Sequence, residues 1–404
     1  MSEFKEIMKG VKNVLLIEPK YLARKKTRAK NYSIALVKIG SYCKLHNINF
    51  DYLKLNNNDI ISSSLNTVDV IFISSLFTWK CNIVKDIVAL CNKQYPEAKT
   101  IVGGVYAMLM PEHCKEYTNA DYVISYSMEE VDNIPLDYSF VNSDYQIIQL
   151  SRGCTKKCKF CGIHRMEPHY EYKDTFKDTV QKRDLLFLDN NLLANPNIDK
   201  ILDELDELKM YRKIRSWEAV SGVDVDYLLK KPELAKRMKR SGCLNIRIAW
   251  DGSIKKAPKI KKALDLLVDA GFVASKIRVF MLYNFDIPFE ECEEKRILCY
   301  NWGVRVYQCR YIPLNAVSDN FSQRKKQTNE DYYIHEGWTD EQVKKFNTNC
   351  RWHFMAIYNN TTFYSEELKR SYMDKKTKDF ISSLTFDEAK KKFPDAWNPA
   401  EKHI

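Results

Sequence analysis

Apolar residues in this chain fall into short, near-continuous runs set between stretches of helical spacing. Val11 to Ile17 (VKNVLLI) is one such run, the pattern of a strand buried on both faces. Ile34, Val37, Ile39, Tyr42 and Leu45 mark one face of a helix over Ile34 to His46. Phe50 to Leu55 and Val68 to Ser74 read as strands, and Ile83 to Gln94 as a helix. Thr100 to Val102 is a strand closing on Gly103-Gly104, and Tyr122 to Ser125 is a fifth. Strand alternating with helix predicts an α/β fold with a doubly wound parallel sheet. Ligands of such sheets sit beyond the C-terminal strand ends. Those ends carry Glu18-Pro19-Lys20, Ser74-Ser75 and Gly103-Gly104.

Met128 to Asp144 is rich in Asp, Asn, Pro and Ser and reads as an exposed linker. A second alternation follows. Strands are expected at Gln146 to Leu150, Leu185 to Leu188, Ser216 to Val220, Asn245 to Ala249, Ile277 to Leu282 and Gly303 to Cys309. Helices are expected at Ile198 to Met210, Tyr227 to Ser241 and Ile260 to Ala270, with Gly242 and Gly271 as stop signals. Six such repeats predict a partial or full β/α barrel, whose site lies at the C-terminal strand ends. From about residue 315 the pattern changes to loops and amphipathic helices. The expected regions are therefore 1–144, 145–314 and a mostly helical extension, 315–404.

Composition narrows the class. A chain of 404 residues suits two or three domains, and 45% apolar content allows sizeable cores. No apolar h-region follows Met1 and no run of 18 apolar residues occurs, so a soluble, cytoplasmic protein away from membranes is expected. The net charge of +11 favours anionic partners such as nucleotides, nucleic acid or a phosphate-bearing substrate. An ordinary Lys-rich solvated surface gives the same number. The basic run Lys20, Arg24, Lys25, Lys26, Arg28 and Lys30 has the same two readings, a phosphate contact or a solvated loop.

The 12 cysteines are spread too thinly for a disulfide framework, except at one place. Ser151 to Ile163 reads SRGCTKKCKFCGI and spaces Cys154, Cys158 and Cys161 as C-x3-C-x2-C just after a predicted strand. Iron–sulfur clusters are held by thiolates gathered on short loops. Three thiolates leave one iron of a [4Fe–4S] cluster open. Arg152, Lys156, Lys157 and Lys159 would favour thiolates over thiols. The rival is a structural zinc site, with His164 or His169 as the fourth ligand.

This loop, with Phe160 before the third cysteine, resembles the signature of the radical S-adenosylmethionine (SAM) superfamily. The resemblance covers roughly Tyr145 to Pro313. It implies a partial β/α barrel, a cluster whose open iron binds the amino and carboxylate groups of SAM, and reductive cleavage of SAM to methionine and a 5′-deoxyadenosyl radical. An electron donor such as flavodoxin or ferredoxin would be required. The resemblance puts the SAM amino group near Asp189, Asn190 and Asn191, where the usual Gly-Gly-Glu is missing. Glu218, Ser221 or Asp251 would meet the ribose, Arg247 the carboxylate, and Phe160 and Ile163 the adenine. Tyr283, Asn284, Asp286, Tyr307, Cys309, Arg310 and Tyr311 follow at the last strand ends, either facing substrate or filling the core.

The first region, over about residues 12–126, resembles the cobalamin-binding domain found ahead of many radical SAM barrels. Val68 to Ser75 (VDVIFISS), Phe77-Thr78-Trp79, Ile101 to Ala107 (IVGGVYA) and Asp121-Tyr122-Val123 carry the likeness. The loop after the first strand, Glu18 to Leu22, lacks D-x-H-x-x-G and offers no histidine to cobalt. Some proteins without that histidine bind cobalamin and others have lost it. If it binds, the resemblance implies contacts at Ser74, Ser75, Gly103 and Gly104, and methylation or rearrangement as the outcome. The alternatives are cobalamin-independent hydrogen abstraction or oxidation, and a nucleic-acid-binding protein with a structural metal.

Overall fold

The computed structural model describes residues 3–21, 32–56, 59–360, 388 and 391. Of the basic run, the positions from Arg24 to Lys30 lie outside the described residues.

The first half is one five-stranded parallel sheet. Its elements in chain order are α1 (Glu3–Ile7), β1 (Asn13–Pro19), α2 (Ile34–Leu45), β2 (Asn49–Leu55), β3 (Val70–Ser75), α3 (Cys81–Gln94), β4 (Lys99–Gly104), α4 (Val105–Leu109), α5 (Pro111–Thr118), β5 (Tyr122–Ile124) and α6 (Glu129–Asp132). The strand order is β2-β1-β3-β4-β5, a doubly wound order with a switch point between β1 and β3. Strand β1 shows why. Val14, Leu15, Leu16 and Ile17 are all fully buried. Leu15 and Ile17 pack with Val84, Ile87 and Val88 of α3, while Val14 and Leu16 pack with Phe4, Leu36 and Ile39 of α1 and α2. A strand covered by helices on both faces needs apolar residues at every position.

The second half adds β6 (Tyr145–Ile148), β7 (Ser151–Arg152), α7 (Ile163–Met166), β8 (Glu171–Tyr172), β9 (Asp184–Phe187), α8 (Ile198–Met210), β10 (Ser216–Ala219), α9 (Val225–Lys230), α10 (Glu233–Arg240), β11 (Arg247–Ala249), α11 (Ala257–Asp269), β12 (Arg278–Tyr283), α12 (Phe289–Asn301), β13 (Arg305–Arg310) and α13 (Asp340–Asn359). Two parallel sheets, β6-β9-β10 and β11-β12-β13, form from its longer strands. Parallel bridges Trp217↔Cys243 and Val223↔Ile248 join β10 to the β11 side. Six parallel strands thus follow one another in chain order, as in a β/α barrel or part of one. One face packs on the helices through Ile201, Leu205, Trp217, Ile248 and Val279.

Two expectations fail for identifiable reasons. The helix over Tyr227 to Ser241 is two helices, α9 and α10, because Pro232 has no amide hydrogen and forces Lys231 to φ −129°, ψ 79°. The segment Met128 to Asp144 is not an exposed linker: Val131, Tyr138 and Val141 are buried. Tyr138 donates its hydroxyl to Ile147 O at 2.6 Å, and the Tyr32 hydroxyl accepts from Ile147 N at 2.7 Å. These two phenols satisfy the open edge of β6, which would otherwise present bare backbone groups. The extension begins with residues 311–339, which carry no helix or strand, and continues into α13, in line with the loops and helices expected there. No helix among the described residues is long and apolar enough to cross a membrane.

Candidate functional site

The three-cysteine loop leaves β6 and is closed at its neck by a two-stranded ribbon, β7 with β8, pairing Ser151 with Tyr172 and Arg152 with Glu171. Gly153 begins the loop at φ +71°, and a side chain there would meet His169 O at 2.2 Å, so only glycine fits. Glu167 accepts from Gly153 N at 2.7 Å and pairs with Arg152 at 2.7 Å.

Cys154, Cys158 and Cys161 are half-buried, as is Cys309, while the other eight cysteines are buried. Burial pushes the Cys158 thiol up, helped by the nearby Cys161, Asp251 and Cys154; burial also raises Cys161. Lys156 does favour the Cys158 thiolate, as expected of a flanking cation, but less than burial and the neighbouring acidic groups oppose it. Arg152 is committed to Asp132 at 3.0 Å and to Glu167, and Lys156 to Asp224 at 2.7 Å and Asp226 at 2.9 Å. Lys159, 85% exposed, reaches only Asp286 at 3.9 Å. Loading a metal here must therefore release protons. Among the described residues, no three His, Cys, Asp or Glu side chains are gathered as a single ion requires. A mononuclear zinc draws thiolates to about 2.3 Å from one centre.

The polar residues after β9 divide. Asp189 is buried and accepts from Ser151 Oγ at 2.6 Å and Leu150 N at 3.2 Å; burial raises its carboxyl. Asn190 donates to Gly153 O at 3.2 Å. Asp189 is occupied in holding the loop, and Asn190 spends its amide nitrogen there. Asn191 is 5% exposed, and its Nδ2 donates to Asp224 Oδ2 at 2.9 Å. A carboxylate only accepts, so the amide oxygen must face the other way. That Oδ1 is buried without a partner. The Tyr170 hydroxyl, near Ser151, Asp189 and Cys154, is also buried without one, and burial pushes it up to about 12. Asp224 and Tyr170 were not foreseen; neither belongs to a motif, and only an orphaned atom and its neighbours mark them.

Glu218 and Arg247 do not face separate groups, as expected. They pair with each other at 2.8 Å, and Arg247 Nη1 donates to Ala219 O at 3.3 Å. Ser221 is exposed on the turn after β10. Asp251, after β11, accepts from Leu282 N at 3.1 Å; burial raises it, and its charge reaches Cys158, Cys161 and Cys309. Phe160 packs edge-on to Phe285 at 6.0 Å, beside Tyr311, and Ile163 opens α7 half-buried. Tyr283 is core, packed on Trp338 and Phe346, and Arg310 pairs with Asp319 at 2.5 Å. Asn284, at φ +58°, spends its amide on Tyr333 O and His335 N. Tyr307 is exposed, and Asp286 faces His335 at 3.6 Å.

At the strand ends of the first sheet the four expected contacts also divide. Gly104 (φ +98°) is closed: a side chain would meet Ser75 O at 2.2 Å. Ser75 is buried and donates to Gly103 O at 2.7 Å. A side chain on Gly103 would meet nothing nearer than Ile124 O at 3.9 Å, and Ser74 Oγ lies 2.9 Å from Ser33 Oγ, half-buried. Gly103 and Ser74 therefore offer room; Gly104 and Ser75 hold the turn. Helix α4 starts just after Gly104 and ends at Leu109, and a methyl on Gly162, next to Cys161, would meet Leu109 at 3.1 Å. The β4 end and the three-cysteine loop are thus separated by a single five-residue helix.

No curated protein matches the chain. No radical SAM family is matched either. The family match that is found begins beyond β1 and the Glu18 loop and ends just past α6. Residues 23–134, which carry β2, β3, β4 and β5 of the doubly wound sheet, match the B12 binding domain family and form a B12-binding domain.

Proposed function

We propose that the chain is a radical SAM enzyme in which Cys154, Cys158 and Cys161 hold a [4Fe–4S] cluster and the B12-binding domain presents a corrinoid to the same site. The observation that carries it is the pairing of three half-exposed thiols, on a loop clasped at its neck, with the buried, unpartnered Oδ1 of Asn191. Such an acceptor suits an ammonium, and SAM supplies one. When bound, the cluster supplies the electron that cleaves the SAM sulfonium, drawn from a flavodoxin- or ferredoxin-like donor. Within this reading, Asp189 and Asn190 hold the loop, Asn191 orients SAM, and Asp251 lies near two of the cluster thiols. Ser74 and Gly103 would hold the corrinoid, with methylation or rearrangement of an unidentified substrate as the outcome. Without a corrinoid the same cluster site would serve hydrogen abstraction.

A second reading has a specific observation in its favour. His164 Nδ1 is buried without a partner and could complete a Cys3His zinc site. One experiment separates the two. The protein is reconstituted anaerobically with iron and sulfide, given SAM and a strong reductant, and assayed for 5′-deoxyadenosine, with Cys158→Ala as control. Cobalamin is added in parallel and its visible spectrum sought on the protein. Deoxyadenosine from the wild type alone supports the enzyme. A zinc-loaded protein that leaves SAM intact refutes it.

A further inference from the structure

We propose that Asp224 is a positioning residue that couples the three-cysteine loop to the unpartnered amide oxygen of Asn191, so that the two halves of the site form together. The inference rests on the radical SAM reading above and adds to it a residue that touches neither cluster nor SAM.

Asp224 caps α9 and its side chain is only 8% exposed. Three donors converge on its carboxylate. Asp226 N reaches Oδ1 at 2.9 Å, Lys156 Nζ reaches it at 2.7 Å, and Asn191 Nδ2 reaches Oδ2 at 2.9 Å. Lys156 lies midway between Cys154 and Cys158. The lysine is thus a tether from the loop to the barrel.

The same carboxylate fixes which end of the Asn191 amide is free. Without it, Asn191 can turn either its oxygen or its nitrogen to the site, and half of those states repel an ammonium. Asp226 offers an internal comparison. It shares Lys156 at 2.9 Å, but it is half-exposed, also serves Lys259, and makes no contact with Asn191. Loss of Asp226 should weaken the tether and leave the acceptor alone. Coupling of this kind is reciprocal: order in the loop favours SAM, and bound SAM favours order in the loop.

The test uses the full chain, reconstituted anaerobically, in four forms: wild type, Asp224→Ala, Lys156→Met and Asp226→Ala. Three quantities are read: iron loss to a chelator, SAM affinity by equilibrium dialysis, and the change SAM causes in the electron paramagnetic resonance spectrum of the reduced cluster. Asp224→Ala is expected to weaken SAM binding by roughly tenfold or more, to blunt the SAM-induced spectral change and to speed iron loss. Lys156→Met and Asp226→Ala should speed iron loss, weaken SAM binding clearly less than Asp224→Ala does, and keep the spectral change. Asp224→Asn guards against a folding failure: it keeps a helix cap but offers an amide nitrogen where Asn191 needs a carboxylate, so its SAM binding should weaken too. The proposal is overturned if Asp224→Ala and Asp224→Asn bind SAM as the wild type does, or if Asp226→Ala weakens SAM as much as Asp224→Ala. A wild type that takes up no iron, or shows no SAM-dependent spectrum, removes the radical SAM reading itself.

Discussion

His353 gives a stability prediction that is independent of any cofactor. It sits in α13, fully buried, with its Nε2 on Val304 O at 2.8 Å and its Nδ1 buried without a partner. A proton on Nδ1 would have no acceptor, and burial, reinforced by the charge of Arg296, pushes the imidazole down to about 3. The unfolded chain takes up that proton near pH 6.5. A depressed value means the contribution is complete above about pH 6.5 and is lost as the pH falls towards 3. The slope in that window is about 1.4 kcal/mol per pH unit, so lowering the pH from 7.5 to 5 removes about 2 kcal/mol. His353→Gln keeps a donor for Val304 O and does not titrate. Urea unfolding of metal-free wild type and variant at both pH values, followed by hydrogen exchange in peptides from α13, isolates the term. Other titrating groups cancel in the difference between the two proteins, leaving the 2 kcal/mol. Parallel losses in wild type and variant would refute the argument.

Two further outcomes are expected. Tyr32→Phe strips the buried Ile147 N of its acceptor and should cost about 1–3 kcal/mol, with faster amide exchange at Ile147; Tyr138→Phe, which strips Ile147 O, should cost less, and unchanged exchange in both would contradict the account of the β6 edge. Brief alkylation of the folded, metal-free protein should label Cys154, Cys158, Cys161 and Cys309 and spare the eight buried thiols until denaturant is added, as read by peptide mass spectrometry; early labelling of Cys43 or Cys350 would contradict the burial.

The fold was largely legible because parallel strands covered on both faces are written as apolar runs, and because Gly242 and Gly271 stop their helices at φ near +92°. Helix α12 was not foreseen. Its sequence places Lys295 and Arg296 among its buried residues, so no clean apolar stripe appears. The β7–β8 ribbon is two residues per strand, too short for any periodicity. The three cysteines were legible from spacing alone. Their polar surroundings were not, because hydrogen-bond partners 30 or more residues apart decide whether Asp189, Asn190 or Asn191 is free. The Lys and Arg residues flanking the cysteines looked like charge for thiolates; tertiary contacts with Asp132, Glu167, Asp224 and Asp226 had already claimed Arg152 and Lys156.

The phenol of Tyr32 reaches from the B12-binding domain to the bare edge of β6, where it takes the place of a missing neighbouring strand. Ile147, Leu186 and Leu188 pack against Tyr32, Ile34 and Val37 on the same seam. A descendant that gave up its corrinoid would still need that domain, because losing it would bare a strand edge and an apolar face. Selection can therefore preserve the first sheet for its outer wall, whatever becomes of its ligand chemistry.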